Sequence, residues 1–467
     1  MPDVIVAGGG TAGCVLAARL AQAGRSVLLL EAGAATAPPE LRSATSLAGS
    51  VPGHPASWAF PGHLTPSRPF TVPRGRVLGG SSAVNGAYFV RGVPEDYGWG
   101  PGWAYGELLP YFRALETDHD FGGPAHGDAG PMPVTRPSGE LLSPAAAAFL
   151  EACRALGHPE EPDKNAGDTP GAGPVPANVR DGVRVSTAAA YLGPGVAVTE
   201  RAVVRRVVVA RGRAVGVEAD VDGVRTELRA GEVVLAAGAI NTAHLLLLSG
   251  IGPPDELRAY GIPVVCDAPV GTAFHDHPQA WIPYRTTRAL PVRPGMILTQ
   301  AALDLDDAEI LATGVPLPLA VDPPGPSAAA VWEARELALI VGLTRPESRG
   351  RLSLASADPD VPPRLEYRYL ESEADRKRLD GAVRHGHELL RTPPLRDLVA
   401  EPRDTDLQTA FHLSGTAPIG PVTDPHGRVH GVESLRIADT SLIPAPMRRG
   451  PAATAVLIGE RIAAFMR

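Results

Sequence analysis

The sequence predicts an α/β fold: a parallel sheet flanked by helices and assembled from separated segments, joined to a smaller α+β body with an antiparallel sheet. Three observations predict it. Residues 3–33 run strand, glycine-rich turn, helix, strand, with apolar runs at Val4–Val6 and Val27–Leu30 of the kind buried in parallel sheets. Short alternating strands at 203–209, 213–219 and 224–229 form a meander, after which VVLAAGA (233–239) returns an apolar strand to the first sheet. Residues 371–391 carry the period of an amphipathic helix, placed toward the end of the smaller body.

The 467 residues suffice for two or three domains and a large core. With 44% hydrophobic and 20% charged residues the chain reads as globular. A net charge of −8 without a basic block disfavours nucleic acid as a partner. Cys14, Cys153 and Cys266 lie too far apart for a CxxC pair or a disulfide framework, which fits a reducing compartment. No apolar run approaches the ~20 residues of a membrane span. The first strand pattern begins at Asp3, so no secretory leader is expected. The expected location is cytoplasmic, with a peripheral place at the inner face of the membrane as the other option.

The opening stretch is DVIVAGGGTAGCVLAARLAQAGRSVLLLEAG. Gly8-x-Gly10-x-x-Gly13 leads from strand to helix, the arrangement of a Rossmann dinucleotide site. Gly10 is expected where backbone touches the pyrophosphate, with a φ that strains other residues. The phosphates would meet the free N–H groups at the helix N-terminus. Glu31 ends the second strand about 20 residues on, placed to accept hydrogen bonds from a ribose. An acid there disfavours a 2′-phosphate but does not choose between FAD and NAD.

A second glycine cluster makes that choice. RGRVLGGSSAVNGAYFVRG (74–92) holds a loop of little bulk, Gly79-Gly80-Ser81-Ser82, able to lie against a planar ligand. Together with GAINTAHLLLLSGIGP (238–253) it resembles the two signature patterns of the glucose–methanol–choline (GMC) oxidoreductase family. The resemblance continues through PGWAYGELLPYF (101–112), HGDAGPMPV (126–134), DGVRVSTAAAYL (181–192), PVGTAFHDHP (269–278) and RPESRGRLSL (345–354). It closes with RVHGVESLRIADTSLIP (428–444) and ATAVLIGERIA (453–463), leaving about 279–340 outside.

The resemblance implies an FAD enzyme whose cofactor domain is built from 1–278 and 425–467, with a substrate domain at 279–424. In it Gly8, Gly10, Gly13 and Glu31 hold the ADP half, while Gly79, Gly80, Ser82 and Asn85 line the pyrophosphate and flavin. Thr11, Ala12, Ala32, Gly86, Ala87, Ala452 and Thr454 complete the implied cofactor set. Val204 matches an adenine contact and Asp439 a place by the pyrophosphate; a plain strand valine and a helix-capping aspartate stay open as the other readings. Some relatives attach the flavin through a histidine where this chain has Val84, so FAD is expected to be non-covalent. The proline-rich PLPLAVDPPGP (316–326) is expected to be loop.

In FHLSGTAPIG (411–420), His412 stands three residues before Gly415-Thr416. The family has its base at that spacing, over the flavin, taking the hydroxyl proton while the substrate carbon gives up a hydride. Histidine suits the task because its ordinary pKa lies near 6.5. His275-Asp276-His277 resembles a metal tripeptide, but its alternation splits the ligands between two faces, so no metal is expected. His430 reads as structural.

The chain departs from the family about forty residues later. A second histidine or asparagine usually stands there; here PMRRGPAATA (446–455) places Gly450. Either Arg448 or Arg449 supplies the missing polar group, or His412 acts without a partner. The short chain and RRGPAATAVLIGER (448–461) resemble the branch associated with mycofactocin systems, which would make the alcohol reduced mycofactocin and the acceptor respiratory. Competing readings are an FAD-bearing lyase like the hydroxynitrile lyases, an alcohol oxidase using oxygen, and an electron-transfer or flavin-storage protein.

Overall fold

A computed structural model describes residues 1–167, 170–321 and 332–467. Val4–Ala7, the first strand, is flanked in parallel by Val27–Leu30 and Glu232–Leu235. Ala197–Thr199 and Leu435–Ile437 extend the sheet on either side, so all five strands are parallel and come from four separate stretches of chain. Val4–Ala7 is wholly buried, as a run without alternation requires. Helix Thr11–Gln22 packs on one face against helix Ala452–Phe465. That crossing is close: a Cβ on Gly459 would stand 2.6 Å from the Ala12 carbonyl oxygen. The C-terminal helix thus returns to the first one.

The expected meander is Ala202–Ala210, Arg213–Val221 and Val224–Arg229, paired antiparallel. The second body is a seven-stranded sheet running from Val399–Pro402 through Pro278–Val292, Trp332–Leu343, Ala308–Thr313 and Thr299–Asp304 to Ala172–Pro174, with Asp406–Thr409 also paired to Pro278–Val292. Period-two alternation divides its faces. Ala280, Ile282, Ile310, Leu339 and Val341 form one core with helices Pro144–Ala155 and Glu373–Arg391. Gln279, Trp281, Leu311 and Ile340 face a cavity on the other side. This body also draws on residues before 278, since Pro144–Ala155 and Ala172–Pro174 belong to it.

The loop expected at 316–326 needs correction. Leu317–Val321 forms a short helix, since a proline at its second position costs no internal hydrogen bond; 322–326 lie outside the described residues. Among the described residues no helix is long and apolar enough to cross a membrane.

Candidate active site

A cavity of about 1040 Å³ runs between the parallel sheet and the antiparallel one. At its sheet end lie Gly8, Gly10, Thr11, Ala12, Glu31 and Ala32. Gly8 is the glycine whose conformation is obligatory: its φ is +112°, and a Cβ would meet the Ala236 carbonyl oxygen at 2.5 Å. The expected strain at Gly10 is not found, because that residue is extended with φ −83° and ψ −163°. A Cβ there would meet only the Ala236 oxygen, at 3.7 Å, so a side chain would enter the cavity itself. Gly13 lies behind, where a Cβ would be 2.0 Å from the Gly8 oxygen; it sets helix-to-strand packing and does not line the cavity.

The helix that starts here has no side-chain cap and no acid in its first turn. The N–H of Cys14 reaches the Gly10 carbonyl, while those of Thr11 and Ala12 are without partners among the described residues. Such a terminus suits an anion. Glu31 accepts from the N–H groups of Gly9 (3.0 Å) and Gly33 (2.7 Å), which fixes its carboxylate at the cavity edge. Burial raises its pKa to about 7.

The second glycine loop closes over the first. Gly79 and Gly80 have φ +96° and +52°, and a Cβ on Gly80 would lie 2.7 Å from the Gly10 Cα. Gly80, Asn85 and Gly86 line the cavity, and Gly79, Ser82 and Ala87 stand behind them. Ser82 Oγ donates to the Gly79 carbonyl at 2.6 Å, and Ala87 holds a left-handed φ of +60°. Val204 lines the cavity together with Arg205 and Asp360. Asp439 lines the cavity and accepts from the Gly238 and Ser441 N–H groups, each at 2.9 Å, capping two helical starts. Ala452 lines the cavity, whereas Thr454 is buried against the Tyr97 hydroxyl at 2.9 Å. Glycine-walled space, an open helix terminus and a fixed carboxylate fit a dinucleotide such as FAD.

His412 stands at the other end, partly buried, after Phe411 in a left-handed φ of +62°. Gly415 explains the spacing to it. With φ +82°, its Cβ would meet His275 Nε2 at 2.7 Å and the Ile443 oxygen at 2.8 Å, so the turn after His412 requires glycine. The Thr416 hydroxyl then ties this turn to the Ala239 carbonyl at 2.6 Å. Asp276 Oδ1 accepts from the backbone N–H groups of both His277 (2.7 Å) and His412 (2.8 Å).

The HDH segment therefore positions His412. His277 Nε2 lies 2.8 Å from the Met447 carbonyl oxygen, which can only accept, so that nitrogen carries the proton. Burial lowers the His277 pKa to about 4, leaving the ring neutral with its lone pair on Nδ1. That lone pair faces His412 Nδ1 at 2.9 Å, so His412 donates from Nδ1. The free lone pair of His412 is consequently at Nε2. Burial, His277 and Arg74 hold the His412 pKa well below the ordinary imidazole value, and the ring is a neutral acceptor at neutral pH.

Gly450 lies against this ring: a Cβ would be 3.1 Å from Cε1 and 3.2 Å from Nε2 of His412. Neither Arg448 nor Arg449 lines the cavity. Arg448 donates its backbone N–H to Asp96. Arg449 is buried, with NH1 on the Lys164 carbonyl and NH2 on Glu161. Of the two alternatives, this arrangement speaks for His412 without an arginine: Arg449 is held by the Glu161 and Asp304 carboxylates, away from the cavity lining.

Sequence reasoning missed the far wall, where Tyr88, Gln279, Trp281, Glu309 and Leu311 stand. Alternation in PQAWIP and AEILAT carried the signal, since it puts Gln279 with Trp281 and Glu309 with Leu311. Among the described residues Glu116, Asp118 and His126 come close enough to hold a metal. Arg91 and Arg136 already pair with those two carboxylates, which reads as a buried ion network.

Comparison with known proteins agrees with this geometry. Family models described as GMC oxidoreductase match residues 2–279 and 346–459. An uncharacterized GMC-type oxidoreductase of Rhodococcus erythropolis is 38% identical over 99% of this chain and 98% of its own. An oxygen-dependent choline dehydrogenase of Photobacterium profundum is 31% identical over 99% and 92%. The crystal structure of pyridoxine 4-oxidase from Mesorbium loti superposes with a TM-score of 0.90 at 26% identity, covering 100% of this chain and 99% of that one. By these matches the chain belongs to the GMC oxidoreductase family, as an FAD-dependent oxidoreductase acting on CH–OH groups.

Proposed function

We propose that the chain oxidises an alcohol with His412 Nε2 as the general base. The observation that carries this reading is the chain of contacts from the Met447 carbonyl through His277 to His412, which leaves the Nε2 lone pair free at the cavity. FAD, when bound, supplies the hydride acceptor. The protein's residues do the rest. Asp276 fixes the backbone of His412, His277 fixes its tautomer, and burial keeps the ring neutral until the hydroxyl proton arrives. Once protonated, Nε2–H becomes the donor to the substrate oxygen, a role that Gly450 cannot share. Val84 is buried and carries no nucleophile, which supports non-covalent FAD.

Kinship with a choline dehydrogenase and a pyridoxine 4-oxidase supports a hydroxymethyl-type carbon as the reacting centre. Electrons then leave to a respiratory or other acceptor. Reduced mycofactocin joins the alcohols to be tried on the resemblance of 448–461 alone. The test is an anaerobic screen of alcohols, reduced mycofactocin included, for bleaching of the bound flavin. Bleaching by at least one supports the reading, and none across the panel would favour a non-redox use of the fold.

A further inference from the structure

Glu309 sits in the strand Ala308–Thr313, on the cavity wall, and is only 7% exposed. Residues paired across a sheet share a face, so register places Asp304, Glu309, Gly342, Gln279 and Gln408 in one row. Gly342 has no side chain, and a Cβ there would come no nearer than 3.7 Å to the Gln279 side chain and 3.9 Å to the Glu309 carbonyl oxygen, which leaves a methyl-sized notch between these two strands. In the next row Leu311, Ile340 and Trp281 also face the cavity.

The charges around Glu309 do not balance. Lys164 Nζ lies 2.6 Å from Asp304 and 2.9 Å from Glu161. Arg449 NH2 lies 2.7 Å from Glu161 and 3.1 Å from Asp304. Two cations therefore serve two carboxylates, and Glu309 is left over. Its Oε1 accepts only from the Tyr88 hydroxyl, and its Oε2 has no hydrogen-bond partner among the described residues. Burial and the neighbouring Asp304 push the Glu309 pKa up to about 7, as expected of a carboxyl group without a cation of its own. Burial and Glu309 itself keep the Tyr88 phenol protonated, so it remains a neutral donor. A buried carboxylate without a cation is costly unless a ligand completes the pair.

We propose that Glu309 receives a protonated amine or ammonium group on the alcohol substrate, seated in the notch at Gly342 with Trp281 beside it. This rests on reading the cavity as the alcohol site. The shared face puts cation and hydroxyl in one cavity, with Glu309 at one wall and His412 at another.

Two nearly isosteric probes test it on the FAD-loaded protein: 4-(aminomethyl)benzyl alcohol and 4-ethylbenzyl alcohol. Dissociation constants come from the flavin absorbance change, and oxidation is followed separately as anaerobic bleaching. The parent should bind the ammonium probe at least about tenfold more tightly. Glu309→Gln should bring the ratio near one, and Glu309→Asp, which keeps the charge, should retain a preference. Equal binding by the parent, or an unchanged ratio in Glu309→Gln, would overturn the proposal. A preference that depends on Glu309 without any bleaching supports the cation site and counts against the oxidation reading alone.

Discussion

Restoring the partner that relatives carry at position 450 should damage this protein. Gly450 is not in a left-handed conformation, so alanine meets no backbone penalty. The obstacle is the His412 ring, whose Cε1 and Nε2 would lie 3.1 Å and 3.2 Å from the new Cβ. Ordinary carbon contacts lie near ~3.5–4.0 Å, so the ring or the 447–450 segment must give by about half an ångström. The ring cannot yield freely. Its Nδ1 is held at 2.9 Å by His277, which is itself held at 2.8 Å by the Met447 carbonyl. Overpacking of this kind costs roughly 1–3 kcal/mol, and a stretched hydrogen bond adds about 1 kcal/mol. Displacement of a base by such a distance slows the chemical step by roughly 10–100-fold. Gly450→Ala should therefore lower Tm, keep its FAD, and reduce that FAD anaerobically about 10–100-fold more slowly, as followed by stopped-flow absorbance. Gly450→Asn should be slower still. A Gly450→Asn variant faster than the parent would show that the ring does not occupy the partner's place.

Three other outcomes follow from the same geometry. Gly10→Val should lose FAD, since its side chain enters the cavity without straining the backbone; purification with a full flavin spectrum would contradict the assignment of that end. Acid precipitation should release all flavin into the supernatant, as Val84 offers no attachment point, and colour left in the pellet would show otherwise. With an uncharged alcohol, which does not depend on the Glu309 carboxylate, the pH profile of kcat/KM should show no His412 limb as pH falls through the ordinary imidazole range near ~6.5, because the base must be neutral and its pKa is lowered by burial, His277 and Arg74. Removing the positive charge in Arg74→Gln raises that pKa, so the acid limb should move to higher pH; a parent limb at the ordinary imidazole value would contradict the burial argument.

Much of the cofactor end was legible because its determinants are local. Gly8, Gly10, Gly13 and Glu31 lie within one strand–helix–strand unit, and backbone sterics tie residue type to place. The active-site end was legible only in part. His412 was found through its spacing to Gly415, and that spacing has a steric reason in the approach of His275 and Ile443. What His412 touches was not legible. His277 is 135 residues away in the chain, and its tautomer depends on a carbonyl at Met447, which no side-chain pattern reports. Arg449 was misplaced for a similar reason: its partners Glu161 and Asp304 are remote in sequence, and ion pairing with them outweighs proximity to Gly450.

Whether His412 is the base, its Nε2 working alone, is decided by the rate of anaerobic flavin reduction in FAD-loaded His412→Ala, using any alcohol that bleaches the parent. Full FAD content and a rate lower by ~10²–10⁴, the usual consequence of losing a general base, are expected. Reduction at the parent rate would contradict that role and make His412 a packing residue of the cavity wall.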